Sequence, residues 1–189
     1  SSLRSNNGLI SRITTYVPNK LVTPLIQGLI LSKIRYCLPI FCDIRTCQMD
    51  PQARKMQDLQ VQLNNALRIV NGSKISDRIE IADLLNKTKT PSVNQLAAET
   101  TLMETWRQIN YELPASEYFV YRDDHASNRI TRNAEQNLLV QPLPGGAGAE
   151  LFIRQGTSLW NGAPAEIRDE KEKGESKRRI KAYCNNFPI

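Results

Sequence analysis

The sequence predicts an all-α protein, a helical bundle core of about four helices with an irregular C-terminal extension and a short last helix. Three observations lead there. Apolar residues recur at three- and four-residue steps in successive segments from Leu21 to about Tyr111, the period of one helix face. Short turns join consecutive segments of this kind, which favours packed neighbouring helices. A cluster of breakers, Pro142, Pro144, Gly145, Gly146 and Gly148, then separates this core from the rest. The expected layout is a bundle over 1–113, a loop-rich linker over 114–148, and a C-terminal helix with a charged tail over 149–189.

The strongest helix carries Leu21, Val22, Leu25, Ile26, Leu29, Ile30, Ile34 and Cys37 on one face. Proline lacks an N–H and fits a first turn, so Thr23 is the expected N-cap and Pro24 the first helical residue, with Pro39 setting the end. A second helix is expected from about Arg54 to Val70, with Met56, Leu59, Leu63, Ala66, Leu67 and Val70 on one face and Asn71-Gly72 as its stop. A short third helix runs from Asp77 to about Asn86. The fourth opens with Thr90 as cap and Pro91 at its first position and continues past Trp106 to about Tyr111. Beyond Pro114 only Ala149 to about Leu159 reads as helix. The mixed charges from Asp169 to Lys181 read as a frayed helix or a flexible tail.

Length and composition narrow the function classes. The 189 residues suffice for one domain with an appendage, and 40% hydrophobic with 23% charged residues excludes wholesale disorder. The longest apolar run, Leu25 to Leu31, is interrupted by Gln27 and Gly28 and falls short of the ~20 residues of a membrane helix. No membrane partner is expected. No apolar leader follows Ser1, so an intracellular setting, nuclear or cytoplasmic, is expected, and Ser1 in place of Met suggests a fragment or processed product. The net charge of +6 is uneven: residues 1–75 hold ten Lys/Arg against three acids, whereas 76–169 hold nine against thirteen. A basic N-terminal third suits a polyanion such as nucleic acid, and serves equally as a solvated surface. The candidate phosphate-binding residues are Lys20, Lys33 and Arg35, which flank the apolar stripe of the strong helix, Arg4 and Arg12 before it, and Arg54, Lys55 and Arg68 on the next helix.

Other constellations carry less. Tyr121-Arg122-Asp123-Asp124 spells the Y-x-D-D of two-metal polymerases, whose adjacent carboxylates suit hard cations. The polar stretch His125 to Arg129 follows it instead of a hydrophobic strand, so two acids in a surface loop are the default reading. Cys37, Cys42 and Cys47 are evenly spaced and Cys184 is distant, a poor match to zinc-ligand pairs, and buried or solvent thiols are expected. His125 is the single histidine and no nucleophile motif accompanies it. No catalytic residue, metal ligand or cofactor is assigned to this chain.

One resemblance adds to this reading. Leu59-Gln60, Asn64, Ala66-Leu67-Arg68-Ile69 and Gly72 resemble the segment downstream of the polymerase core in non-LTR retrotransposon reverse transcriptases. Four further blocks agree in order: Val17-Pro18 with Leu29-Ile30-Leu31-Ser32, Ile34 and Tyr36-Cys37; Trp106 to Pro114; Thr131-Arg132; and Gly156 with Leu159-Trp160-Asn161 and Pro164. The similarity covers about Leu3 to Ile167. It implies a thumb remnant and C-terminal region of an RNA-directed DNA polymerase acting in target-primed reverse transcription, with template-primer RNA/DNA and the missing palm and fingers as partners. Mg²⁺ would then sit at the absent palm, whose metal-binding tetrad the register places before Ser1. The fragment itself is expected not to be an enzyme. The alternative is a degenerate or recruited element tail acting as a helical protein-interaction module.

Overall fold

The computed structural model describes residues 2–14, 16–36, 38–41, 51–74, 76–121 and 147–187. Among these residues there is no β-strand, and the all-α class holds. Two compact units divide the chain, the first formed by 1–37 with 46–96 and the second by 38–45 with 97–187.

The first unit opens with α1 (Ser2–Ile13), an element the apolar spacing does not announce because Asn6, Asn7 and Gly8 interrupt it. Tertiary contacts hold it instead. Ile10 is fully buried, and the Asn7 amide donates to the Gln62 carbonyl oxygen at 3.0 Å. Asn6 likewise donates to the Leu29 carbonyl oxygen at 2.9 Å.

The next helix differs from expectation at both ends. α2 (Asn19–Ile26) has Pro18 at its N-cap and carries Pro24 in its interior, so Thr23 is not the cap. Proline offers no N–H to the preceding turn and typically costs about 3 kcal/mol in a helix interior. The chain continues through a π-helical turn (Gln27–Leu31) into α3 (Ser32–Arg35), where Tyr36 turns extended. Burial of Val22, Ile26, Ile30, Leu31 and Ile34 offsets the proline, at roughly 1.5–3 kcal/mol per buried side chain. The short α4 (Leu38–Phe41) contains Pro39, the residue expected to end the long helix.

α5 (Pro51–Val70) includes the expected span and buries Met56, Leu63, Ala66 and Leu67. Its stop is the expected one. Gly72 takes φ +67°, the Ser73 N–H reaches the Arg68 carbonyl at 2.9 Å, and the Gly72 N–H reaches Ile69 at 3.2 Å, a Schellman closure. α6 (Ile81–Thr88) starts four residues later than expected, because Asp77 accepts the Lys74 N–H at 2.8 Å in a turn rather than opening the helix. Lys89 closes it at φ 50°.

α7 (Val93–Asn110) starts after Thr90 and Pro91, which are neither its cap nor its first residue. Ser92 is the cap. Its N–H donates to Gln95 Oε1 at 2.9 Å and its Oγ accepts the Gln95 N–H at 3.2 Å, the reciprocal pair of a capping box. The boundary between the two units falls inside α7, between Leu96 and Ala97.

In the second unit, Ala98, Leu102 and Trp106 of α7 share a core with Phe119, which follows a 3₁₀ turn (Ser116–Tyr118). α8 (Ala147–Gly162) adds Ile153, Leu159 and Trp160, and α9 (Ala165–Arg168) adds Ile167. Gly148 lies within α8, so it does not belong with the breakers before it. The segment expected to fray is a packed helix: α10 (Lys173–Cys184) buries Ser176, Ile180 and Cys184 at four-residue steps. Both carboxylate oxygens of Glu172 cap it, accepting the N–H groups of Gly174 at 2.9 Å and Glu175 at 2.7 Å. The Tyr183 hydroxyl donates to the Gly162 carbonyl oxygen at 2.8 Å and ties α10 to the end of α8.

Candidate nucleic-acid interface

The basic residues of the first unit fall into different environments. Arg12 is exposed in the last turn of α1, where a cation also complements the helix dipole. Lys33 is exposed on α3, with its Nζ 3.5 Å from Asn6 Oδ1 on α1. Six residues separate Asn6 from Arg12, about 9 Å along the axis and roughly 120° around it, so the two exposed cations stand on different faces and each meets a phosphate on its own. Arg35 is half-buried on the same helix as Lys33. Arg68 serves the turn after α5, which its guanidinium closes by donating to the carbonyl oxygens of Lys74 at 3.1 Å and Asp77 at 2.8 Å. The side chains of Arg4, Lys20, Arg54 and Lys55 lie outside the described residues.

The other candidate chemistry is largely outside the described residues as well: Arg122, Asp123, Asp124 and His125, and Cys37, Cys42 and Cys47. Tyr121 is half-buried against the second core. Among the described residues no group of three or more His, Cys, Asp or Glu converges. Cys184 is a core residue, 1% exposed, and burial, helped by the nearby Glu99 charge, pushes its thiol up to about 12. It is a small neutral hydrophobe rather than a thiolate.

That raised value has a consequence for stability. The unfolded chain releases the thiol proton above its ordinary value of 9.0 while the folded chain keeps it. The contribution is therefore complete below pH 9 and is lost as pH climbs from 9 towards 12. Urea midpoints of the native chain are expected to fall more steeply over that range than those of Cys184→Ala; parallel curves would contradict this.

The residues that carry the family resemblance have, where described, structural work. Gln60 Oε1 accepts the Val93 N–H at 2.8 Å at the start of α7, and its amide donates to Asn64 Oδ1 at 2.8 Å. Gly72 makes the helix stop, and Trp106 and Trp160 are fully buried. Gly156 sits where a side chain would run into Thr105 and the Phe119 ring. The basic residues of α10 are the ones sequence reasoning missed as structured, since dense charge hides the narrow Ser176, Ile180, Cys184 seam. No family model, curated protein or solved structure matches this chain.

Proposed function

We propose that this chain is a non-catalytic C-terminal fragment of a non-LTR retrotransposon reverse transcriptase, gripping template-primer RNA/DNA through phosphate contacts in support of target-primed reverse transcription. The five sequence blocks in register, from Val17-Pro18 to Pro164, carry the reading. The basic N-terminal third and the exposure of Arg12 and Lys33 support it, because cations facing water can replace the counterions of a nucleic-acid backbone without reading bases. The mechanical role of such a part is positional. It holds a duplex so that the primer end stays aligned with chemistry performed on other polypeptide.

The test is binding of an RNA–DNA hybrid across a salt series. Charge reversal of Lys33 and Arg35 is expected to weaken binding and to flatten the slope of log affinity against log salt by about 0.9 for each phosphate no longer neutralised. Unchanged affinity at low salt would remove both residues from the interface.

The second reading, a helical protein-interaction module, draws on exposed apolar side chains of the first unit: Leu9, Leu21 and Val61 are each at least 50% exposed. Absent or salt-insensitive binding to the hybrid would favour it.

A further inference from the structure

The geometry points to a second phosphate-binding surface, a lysine stripe on α10 formed by Lys173, Lys177 and Lys181, that takes the backbone of a nucleic acid. It rests on the reading of this chain as a nucleic-acid grip, and extends that grip to the second unit.

Periodicity comes first. The three lysines stand four residues apart, so they follow one another up one side of the helix at about 6 Å per step. Lys177 and Lys181 each come one residue after a buried position, Ser176 and Ile180, which keeps the stripe beside the buried seam and in solvent. All three lysines are exposed.

The neighbouring charges leave the stripe unneutralised. The three acids of the last twenty residues are all engaged elsewhere. Glu172 caps the helix, accepting two backbone N–H groups. Glu175 receives Arg178 at 2.7 Å and Arg179 at 2.9 Å, and these hydrogen bonds hold its carboxyl below the usual carboxylate range. Glu170 lies 3.4 Å from Arg179, whose guanidinium also donates to the Glu166 carbonyl oxygen at 2.9 Å. The arginines of α10 thus neutralise its acids. Lys173, Lys177 and Lys181 make no hydrogen bond or ion pair through their side chains among the described residues.

Three unpaired cations over about 12 Å match a polymer that presents one negative charge per ~1.7 Å of duplex axis. A membrane surface is the poorer fit. An interfacial helix inserts an apolar face, and the apolar residues Ile180 and Cys184 of α10 are sealed in the core at 0% and 1% exposure.

The experiment uses the full chain and a labelled RNA–DNA hybrid over roughly 50–200 mM salt. Lys173→Gln/Lys177→Gln/Lys181→Gln is expected to flatten the salt slope by about 2.7, or 0.9 per contact, while the triple Lys→Arg variant keeps the native slope. The single variant Lys177→Glu, on an exposed position, gives the same direction of change if the triple variant folds poorly, with helical circular dichroism as the check. Arg12→Glu/Lys33→Glu is measured alongside. A loss confined to the α10 variants would support the stripe and remove the first-unit surface; a loss confined to Arg12→Glu/Lys33→Glu would overturn the stripe and leave the grip intact. A native slope in all variants would overturn both. Binding of anionic phosphatidylserine vesicles, lost in the glutamine variant while hybrid binding is not, would overturn the assignment in favour of a lipid surface.

Discussion

Trp106→Ala is expected to cost about 3–5 kcal/mol, the range for emptying a buried aromatic site. Trp106 is fully buried in the second core, and the ring of Tyr111 stands edge-on to it at 5.6 Å between centroids. Its indole N–H donates to the Glu170 carbonyl oxygen at 2.7 Å, joining α7 to the segment just before α10. Two losses therefore combine, a cavity and a carbonyl left without its donor. Trp106→Phe separates them: it keeps most of the apolar contact and should cost roughly 1–3 kcal/mol for the unmade hydrogen bond and the smaller ring. Urea unfolding of the two variants checks this, and a change below about 1 kcal/mol for Trp106→Ala would contradict the packing described.

Gly156→Ala should destabilise the protein where helix propensity alone says the opposite. Alanine is favoured over glycine by about 1 kcal/mol in a helix interior. A Cβ at Gly156, however, would meet Thr105 Oγ1 and stand 3.2 Å from the Phe119 ring, so α8 approaches these side chains only because the position lacks one. Overpacking of this kind costs roughly 1–3 kcal/mol and outweighs the propensity gain, with Gly156→Val expected to lose more. The Thr105 hydroxyl donates to the Thr101 carbonyl oxygen at 2.9 Å, so it is held rather than free to swing aside. Gly8→Ala is the control: nothing lies within 4 Å of its Cβ, and it should stabilise α1 slightly. Thr105→Ala should relieve the penalty at Gly156→Ala, and additive costs in the double variant would contradict the close approach.

Elements with a wide apolar stripe and a strong terminator were legible from sequence. The span of α5 and its Gly72 stop are examples, since positive φ at the end of a helix is a local need that glycine answers by itself. Helices held by tertiary contacts were not. α1 depends on Asn7 reaching Gln62, 55 residues away, and α10 shows only three buried positions among its charges. Proline misled at Pro24, because burial of the flanking side chains outweighs a broken helical hydrogen bond. At Thr90-Pro91 the local signal was real but displaced: the capping box two residues on satisfies two orphan donors at once, where a lone threonine would satisfy one. The candidate interface was legible as a set of charges but not as a surface. Arg68 shows why, since the carbonyl oxygens that engage its guanidinium come from a turn whose shape the sequence did not disclose.

The most direct test is the affinity of the unaltered chain for an RNA–DNA hybrid, measured from about 50 to 200 mM salt without Mg²⁺ or nucleotides. A grip built on several phosphate contacts predicts a linear fall of log affinity with log salt at a slope of about −0.9 per contact. A flat line, or no binding at the lowest salt, would contradict the account.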